Sequence, residues 1–441
     1  MKLFQGWLTL LLTFVAVVCF APAAWAFCGF YVSKADTKLY NKASQVVIAR
    51  NDNRTVLTMA NDYQGDVKDF AIVVPVPTVL QREQVHVGEP RTIERLDAFS
   101  APRLVEYFDP DPCMVYEDNI PMPSAAPQER ASNKSQDSAL GVTVEARFTV
   151  GEYDIVILSA KQSNGLATWL IGNGYRIPPG AKQLLGPYIR QNMKFFVAKV
   201  NLKEFQNSGA QFLRPLQMAY ESPKFMLPIR LGMINATTEQ DLIVYVLSPK
   251  GQAEITNYRM VNVPSDVEIP LYVKNEFGEF YKAMFKTAYT REDKKVAFLE
   301  YAWDMSSCDP CSATPLTSEE LRQAGVFWLT PQTTNNVFIT RIHVRYTRDK
   351  FPEDLMFQET SNRQSFQGRY ILRHAFTGEV KCENGRQYKK TLTQRLESQV
   401  ETLAHLTGWD IQKIRSKANI ITQAPTSWWQ NVWHLLSFWF V

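Results

Sequence analysis

The sequence lacks the local motifs that define most common enzyme classes. Its 441 residues contain no G-x-S-x-G, no H-E-x-x-H, no Walker A loop and no G-x-G-x-x-G. This excludes the motif-defined forms of acyl transfer, zinc-dependent proteolysis and nucleotide binding. It does not exclude an enzyme, because many active sites are assembled from residues far apart in the sequence. The residues indicate no cofactor.

Charge of one sign and histidine are also scarce. The 48 basic residues are nearly balanced by 44 acidic ones, and the net charge of +4 is spread along the chain. Without a basic stripe, the sequence gives no argument for nucleic-acid binding. The five histidines are scattered, and neither a second C-x-x-C nor an H-x-x-x-H is present. A metal site with standard zinc spacing is therefore not predicted.

The apolar run at the N-terminus is too short to cross a membrane. Leu8–Phe20 follows the positive Lys2 and precedes Ala24-Trp25-Ala26, which is the order of a secretory signal peptide. We expect residues 1–26 to be removed and the chain to be exported, to the periplasm or the extracellular space. A lipoprotein anchored at Cys28 is the alternative, but Phe27 is larger than the residue that lipoprotein processing prefers.

Cysteine is rare, with five residues beyond the leader, and in an oxidising compartment all five are disulfide candidates. They are Cys28, Cys113, Cys308, Cys311 and Cys382. The odd number means that at least one is free or bonded to another chain. The sequence leaves the connectivity open: Cys308 and Cys311 pair either with each other or with one of the other three.

The C-x-x-C pair has three interpretations. A structural disulfide is favoured. A redox site would need a thiol at a helix N-terminus, whereas a T-x-x-E capping box at Thr317 and Glu320 starts the next helix six residues beyond Cys311. The alternating strand–helix pattern of thioredoxin-like folds is also missing. A metal site would need two further ligands from distant positions.

Patterning predicts an α+β fold of mainly antiparallel sheets with short helices, ending in a C-terminal amphipathic helix and an apolar tail. The predicted segments are a signal peptide (1–26), an N-terminal β-meander part (27–120), a linker or long loop (121–139), the remainder of the same domain (140–384), C-terminal helices (385–417), and a linker with a tryptophan-rich tail (418–441). Residues 121–139 have no periodicity and are rich in Pro, Ser and Ala, so they either divide two lobes or form a surface loop.

Three strands are predicted to form the meander, with the third ending in Pro75 and Pro77. Because proline cannot donate to a ladder, that strand should end there or lie at an edge. Ala101–Tyr107 is predicted to be a short helix. Leu392, Leu396, Val400 and Leu403 have helical spacing, so residues 387–406 should form an amphipathic helix ending before Gly408.

A weak anion site is predicted on the strand at residues 337–346, whose polar positions Arg341, His343 and Arg345 lie on one face. Residues 369–374, with Arg369 and Arg373, are expected to be its antiparallel partner. Guanidinium groups sharing one side of a sheet suit a carboxylate, sulfate or phosphate. The alternative, which is favoured, is a solvated face balanced by acidic neighbours.

The tail is apolar, uncharged and rich in tryptophan, at Trp428, Trp429, Trp433 and Trp439. Fourteen helical residues would reach about 21 Å, short of the ~30 Å hydrocarbon core. Tryptophan at this density is typical of the membrane interface. Docking into the protein's own core or into a partner's groove is the other possibility.

Several motifs in order resemble a family of exported bacterial proteins known as a domain of unknown function, DUF2330. They are Cys28-Gly29 after the leader, DFAIVVPVP, SAPRLVEYFDPDPC, WLIGNGYRIP and SSCDPC. The resemblance extends from about Cys28 to Cys382. It implies export and one shared architecture, and it brings no activity with it. We therefore expect a non-enzymatic binding or structural component of the envelope, stabilised by disulfides. The alternative is a thiol–disulfide or metal-assisted enzyme centred on Cys308 and Cys311.

Overall fold

The computed structural model describes residues 30–33, 40–41, 44–60, 63–64, 70–114, 143–160, 163–173, 180–208, 213–234, 239–330 and 336–419. Within these ranges the chain forms two compact units, each assembled from stretches far apart in the sequence. Unit 1 takes its residues from Met1–Ala101, Ala131–Val261 and Lys294–Phe366, and unit 2 takes them from Pro102–Arg130, Asn262–Asp293 and Gln367–Val441.

The described strands, in chain order, are β1 Phe30–Ser33, β2 Tyr40–Asn41, β3 Ser44–Asn51, β4 Arg54–Ala60, β5 Tyr63–Gln64, β6 Phe70–Val76, β7 Val85–Val87, β8 Arg103–Phe108, β9 Thr143–Val150, β10 Tyr153–Ser159, β11 Lys194–Val200, β12 Leu216–Glu221, β13 Met226–Leu227, β14 Gln240–Ser248, β15 Ala253–Ile255, β16 Arg259–Asn262, β17 Val267–Glu268, β18 Val296–Asp304, β19 Phe338–Tyr346, β20 Leu355–Glu359, β21 Phe366–Gln367 and β22 Arg369–His374.

The α-helices of the described part are α1 Pro90–Ser100, α2 Ser163–Gly172, α3 Ala181–Arg190, α4 Leu202–Ser208, α5 Phe277–Arg291, α6 Ser318–Gln323, α7 Glu383–Thr407 and α8 Ile411–Lys417. Short 3₁₀ turns cover Arg82–Gln84, Arg230–Ile234 and Leu271–Glu276. Among these helices, none has both the length and the apolar character that crossing a bilayer requires.

Unit 1 is built around two sheets that pack face to face. A five-stranded sheet has the order β1-β6-β11-β10-β9, and a larger sheet has the order β16-β18-β19-β14-β3-β4-β12-β7, with β21 paired to β18. Most pairings are antiparallel, but β3 and β14 run parallel. Ile72 and Ile157 of the first sheet meet Val46 and Val244 of the second in one continuous buried cluster.

Strand residues alternate between the two faces of a sheet, so each sheet of unit 1 also has apolar side chains on its outer face. Helices cover these outer faces. Val73 and Phe195 of the five-stranded sheet pack against Leu170 of α2 and Leu185 of α3. On the larger sheet, Val47 lies in a second cluster together with Ile93, Leu96 and Phe99 of α1 and Leu321 of α6. The unit therefore has four layers, with its two sheets in the middle.

Unit 2 contains a small parallel sheet and the long C-terminal helix. The order of its strands is β17-β22-β8, with β22 parallel to both neighbours. The helix α7 is amphipathic and buries Val400 and Leu403. It ends at Gly408, whose left-handed backbone (φ 72°) is accessible to glycine without strain.

The structure confirms the predicted α+β class with its mainly antiparallel sheets, short helices and C-terminal amphipathic helix. The predicted three-stranded meander is wrong in its third strand. β3 and β4 form the expected hairpin, but β6 pairs with β1 and β11 in the other sheet. The strand is apolar on both faces because it is sandwiched between a helical layer and a sheet. β1 pairs with β6 only as far as Val73. In the described part of the chain, Pro75 therefore has β11 as its one neighbouring strand.

Two further local predictions are wrong for non-local reasons. β19 pairs with β14 and β18, not with β22, because the mostly apolar β14 matches all nine residues of β19 inside the same sheet. Ala101–Tyr107 contains the strand β8 in place of a helix, because the residues pair with β22. Residues 1–26, the segment 121–139 and the tail 420–441 lie outside the described residues.

Candidate functional site

Seven charged or phenolic side chains form what we call the buried charge cluster, on the face of the larger sheet that looks toward α1. Its members are Asp97, Asp241, Tyr245, Glu300, Arg341, His343 and Arg345. Alternation along β19 places residues 341, 343 and 345 on one side, opposite Ile342 and Val344, which enter the core between the sheets. The sequence therefore predicted the shared face correctly, although Arg341 and His343 are buried there.

Arg341 lies at the centre of the cluster and is 6% exposed. Its Nε donates to Glu300 Oε2 at 2.6 Å, and its Nη1 donates to Asp97 Oδ1 at 2.6 Å. Tyr245 donates its hydroxyl proton to the same Asp97 oxygen at 2.8 Å. Burial alone would lower the pKa of Arg341, but Tyr245, Glu300 and Asp97 outweigh it and raise the pKa. Burial also raises the pKa of Tyr245, which stays a neutral donor.

His343 lies between two carboxylates. Its Nδ1 is 2.8 Å from Glu300 Oε1 and its Nε2 is 3.0 Å from Asp241 Oδ1. Burial would lower the pKa of His343, but the two carboxylates outweigh it and raise the pKa, so both ring nitrogens donate as an imidazolium. Asp241 also accepts two hydrogen bonds from Arg345, each 2.8 Å. Burial opposes ionisation of Asp241, yet these donors hold its pKa well below the usual range.

Within the cluster three cations meet three carboxylates, so its charges balance. A buried ion network of this kind fixes the positions of its members more than it adds net stability. The guanidinium and imidazolium groups that we predicted to receive an external anion are compensated here by the chain's own Asp97, Asp241 and Glu300. The arrangement therefore supports a structural role for Arg341, His343 and Arg345 better than an anion site.

The two other arginines of the predicted anion site, Arg369 and Arg373, lie on β22. This strand belongs to unit 2 and does not pair with β19. Arg369 is paired with Asp266. Arg373 contacts Glu268 Oε1 at 2.5 Å and lies over the ring of Tyr107, 5.5 Å from its centroid. The five predicted residues thus do not share one face of one sheet.

Sequence reasoning missed the acidic half of the buried charge cluster. Asp97 is 244 residues away from Arg341 and belongs to a helix, so no local pattern connects them. Glu300 did give a signal, because it is the one charged residue in the apolar run VAFLEYAW at residues 296–303. A lone buried carboxylate in a strand needs a cationic partner, and the cations on β19 were the obvious candidates.

Four of the five disulfide candidates are paired in the structure. Cys308 is bonded to Cys311, and Cys113 is bonded to Cys382 across a sequence separation of 269. The first bond lies in unit 1, in a segment between β18 and α6 that we call the cysteine loop, residues 305–317. The second lies in unit 2 and joins the segment after β8 to the start of α7. Cys28 lies outside the described residues.

A group of paired charges joins α7, whose N-cap is Cys382, to other parts of unit 2. Asp109 accepts hydrogen bonds from Arg395 and from the hydroxyl of Tyr388, each 2.6 Å. Burial alone would raise the pKa of Asp109, but these donors outweigh it and lower the pKa. Glu268 accepts from Arg373 and, at 3.1 Å, from Gln399 of α7. The contacts join α7 to the small sheet of unit 2 and to the segment that follows β8.

Three further predictions concern the capping box, a metal site and the tail. The capping box at Thr317 and Glu320 is present, and α6 begins there, so the cysteines lie in a loop as expected. In the ranges that the structure describes, no group of three or more His, Cys, Asp or Glu residues is placed to hold a metal ion. The tryptophans of the tail at positions 428, 429, 433 and 439 lie outside the described residues.

Comparison with protein families places the chain in a known family. Residues 22–358 match the family described as "uncharacterized protein conserved in bacteria" (DUF2330), which is the family the motifs resembled. No curated protein and no solved structure matches the chain significantly.

Proposed function

Because the chain belongs to the bacterial DUF2330 family, we propose that it is an exported component of the cell envelope, with a binding or structural role that involves no catalysis. Its fold would be stabilised by disulfides in the periplasm or outside the cell. The expected signal peptide at residues 1–26 supports this location, and the internal satisfaction of the buried charge cluster supports a role without catalysis.

The observation that carries the proposal is the Cys113–Cys382 bond. It joins two residues 269 positions apart within one unit. Disulfides of this kind persist where the environment is oxidising and are rare in the cytosol. In the chain-entropy model, closing a loop of this length stabilises the folded state by about 5 kcal/mol. A bond with this effect is useful only if the chain leaves the reducing cytosol.

The test is to locate the protein in its native cells and to sequence its N-terminus. We expect it in the envelope or the medium, beginning at Phe27, with Cys113 and Cys382 protected from a maleimide until a reductant is added. A cytosolic protein that keeps Met1 and whose cysteines react at once would contradict the proposal.

A second proposal concerns the tail, whose tryptophans at 428, 429, 433 and 439 would place the protein at the membrane interface. Partitioning of the full chain with lipid vesicles, compared with a chain lacking residues 428–441, tests it. We expect the full chain to sediment with the vesicles and the truncated chain to remain in solution. Equal partitioning of both would contradict a membrane role and favour contact with the protein itself or with a partner.

One observation favours the alternative function, a thiol–disulfide enzyme. Cys311 is exposed to solvent, and the C-x-x-C bond spans only two intervening residues. A disulfide with these properties is open to attack by an external thiol.

A further inference from the structure

The shape of the cysteine loop is fixed by contacts that do not involve its disulfide. Met305 and Leu316, near its two ends, are 0% and 1% exposed. The backbone N–H of Met305 donates to the carbonyl oxygen of Val337 at 2.8 Å, and Ser312 Oγ donates to the carbonyl oxygen of Ala98 at 2.7 Å. The loop is therefore fastened to the neighbouring β19 segment and to α1.

Arg95 of α1 fastens the second half of the loop. Its Nη2 donates to the carbonyl oxygen of Thr314 at 3.0 Å, and its Nε donates to Glu320 Oε1 at 2.9 Å. Glu320 also accepts the backbone N–H of Thr317 at 2.8 Å, which closes the capping box of α6. The hydrogen bonds from Arg95 and Thr317 lower the pKa of Glu320 to about 2, so these contacts are charged at neutral pH.

The two sulfurs differ in their surroundings. Cys308 is half-buried and packs against the cluster that contains Phe99 and Leu321, whereas Cys311 is exposed. Ser312, the residue after Cys311, is exposed as well. An attacking thiolate can therefore reach the exposed Cys311 more readily than the half-buried Cys308.

From this geometry we propose that Cys308–Cys311 is an exchangeable disulfide that accepts two electrons from a dithiol of an exported partner protein, with Cys311 as the sulfur attacked. The proposal rests on the proposed export, which supplies the oxidised starting state. It differs from the structural role of Cys113–Cys382, since here the bond can open without loss of the fold.

The exchange balances as two displacements. A thiolate of the partner attacks Cys311 Sγ and forms a mixed disulfide, while the Cys308–Cys311 bond breaks and Cys308 leaves as a thiolate that takes up a proton from water. The partner's second thiolate then attacks its own sulfur in the mixed disulfide and releases Cys311 as a thiolate. The partner dithiol is oxidised to a disulfide, and Cys308 and Cys311 are reduced to two thiols.

The first test uses the full mature chain in a series of glutathione redox buffers, with acid quenching, alkylation and peptide mass spectrometry. The bond between Cys113 and Cys382 in the same molecule is the internal control. We expect Cys308 and Cys311 to become alkylated in buffers that leave Cys113 and Cys382 oxidised, with the fold unchanged by circular dichroism. Reduction of both bonds in the same buffer, or unfolding when Cys308–Cys311 opens, would overturn the proposal.

The second test identifies the attacked sulfur. Cys308→Ser and Cys311→Ser, each combined with Cys28→Ser, leave one loop thiol apiece and form a matched pair. Toward 5,5′-dithiobis(2-nitrobenzoate), Cys311 in the first variant should react roughly tenfold faster than Cys308 in the second, because reaction follows access to the thiolate. Equal rates, or a faster Cys308, would contradict the assignment. A failure of export would appear in the cell-location experiment and would not alter this ratio.

Discussion

The two disulfides of this protein are chemically alike, but they close loops of very different length in the two units. Cys308–Cys311 closes a ring with two intervening residues, in a loop already fastened by Arg95, Met305 and Leu316. Cys113–Cys382 joins positions 269 apart, where the segment after β8 meets the start of α7. What a disulfide contributes depends on the freedom it removes from the unfolded chain, and that freedom differs greatly between the two.

The two units also differ in how their paired charges are arranged. In unit 1 the buried charge cluster is made by side chains of a continuous sheet and of α1. In unit 2 the ion pair Asp109–Arg395 joins the segment after β8 to α7, the same two parts of the chain that Cys113–Cys382 joins. We therefore expect unit 2 to depend on its disulfide more than unit 1 depends on the loop bond.

The largest effect should come from Cys113→Ser combined with Cys382→Ser. We expect the free energy of unfolding to fall by about 5 kcal/mol in the chain-entropy model. Urea unfolding measures the loss, and hydrogen exchange should locate it in α7, residues 383–407. The variant Cys28→Ser is the control and should match the wild type in both measurements. A loss below about 1 kcal/mol would remove the contrast between the two bonds.

A smaller but substantial loss is expected from Glu300→Gln in unit 1. The substitution keeps the size of the side chain but leaves Arg341 and His343 short of one buried counter-charge, which costs about 3 kcal/mol. Urea unfolding again provides the measurement, with the exposed Glu279→Gln as the matched control. An unchanged midpoint would show that the buried charge cluster does not hold unit 1 together.

The pH dependence of unfolding tests the same cluster through His343. Its pKa is raised in the folded state, so its contribution is fully present below the unfolded pKa of about 6.5 and is lost as pH rises through the folded value. We expect the wild type to lose stability in that window and His343→Gln to lose this part of the dependence. Parallel curves for the two proteins would show that His343 is not bound as an imidazolium.

The smallest loss should follow Cys308→Ser combined with Cys311→Ser. A ring of four residues gives about 2 kcal/mol at most in the chain-entropy model, and the contacts of Arg95, Met305 and Leu316 remain. Urea unfolding and hydrogen exchange of residues 305–317 measure the effect. A loss as large as that of the Cys113 and Cys382 variant would show that the loop bond is structural.

Local patterns predicted the local structure of both units. The β3–β4 hairpin, the capping box at Thr317 and the end of α7 at Gly408 depend on residues close in sequence, and all three are present. The common face of Arg341, His343 and Arg345 followed from alternation alone. The choice of partner did not: β6 and β19 could have paired with several apolar strands, and only the packing of the whole unit decides between them.

Pairing across long distances limited the prediction of the candidate sites as well. Cysteine spacing left the connectivity open, since any of the five residues could have bonded to any other. Asp97 contacts Arg341 from a helix 244 residues away in the sequence. The balance of charges in the buried charge cluster therefore could not be predicted from the sequence. Alternation predicted the positive face of β19, but no local pattern predicted the acidic groups that balance it.

The most direct test of this account is disulfide mapping of protein quenched with acid in its native cells, alkylated, digested without reductant and analysed by mass spectrometry. We predict a peptide pair that links Cys113 to Cys382 in nearly every molecule, with Cys308 and Cys311 found both bonded to each other and as alkylated thiols. Alkylated Cys113 and Cys382, or a bond from either of them to Cys28, would contradict the account.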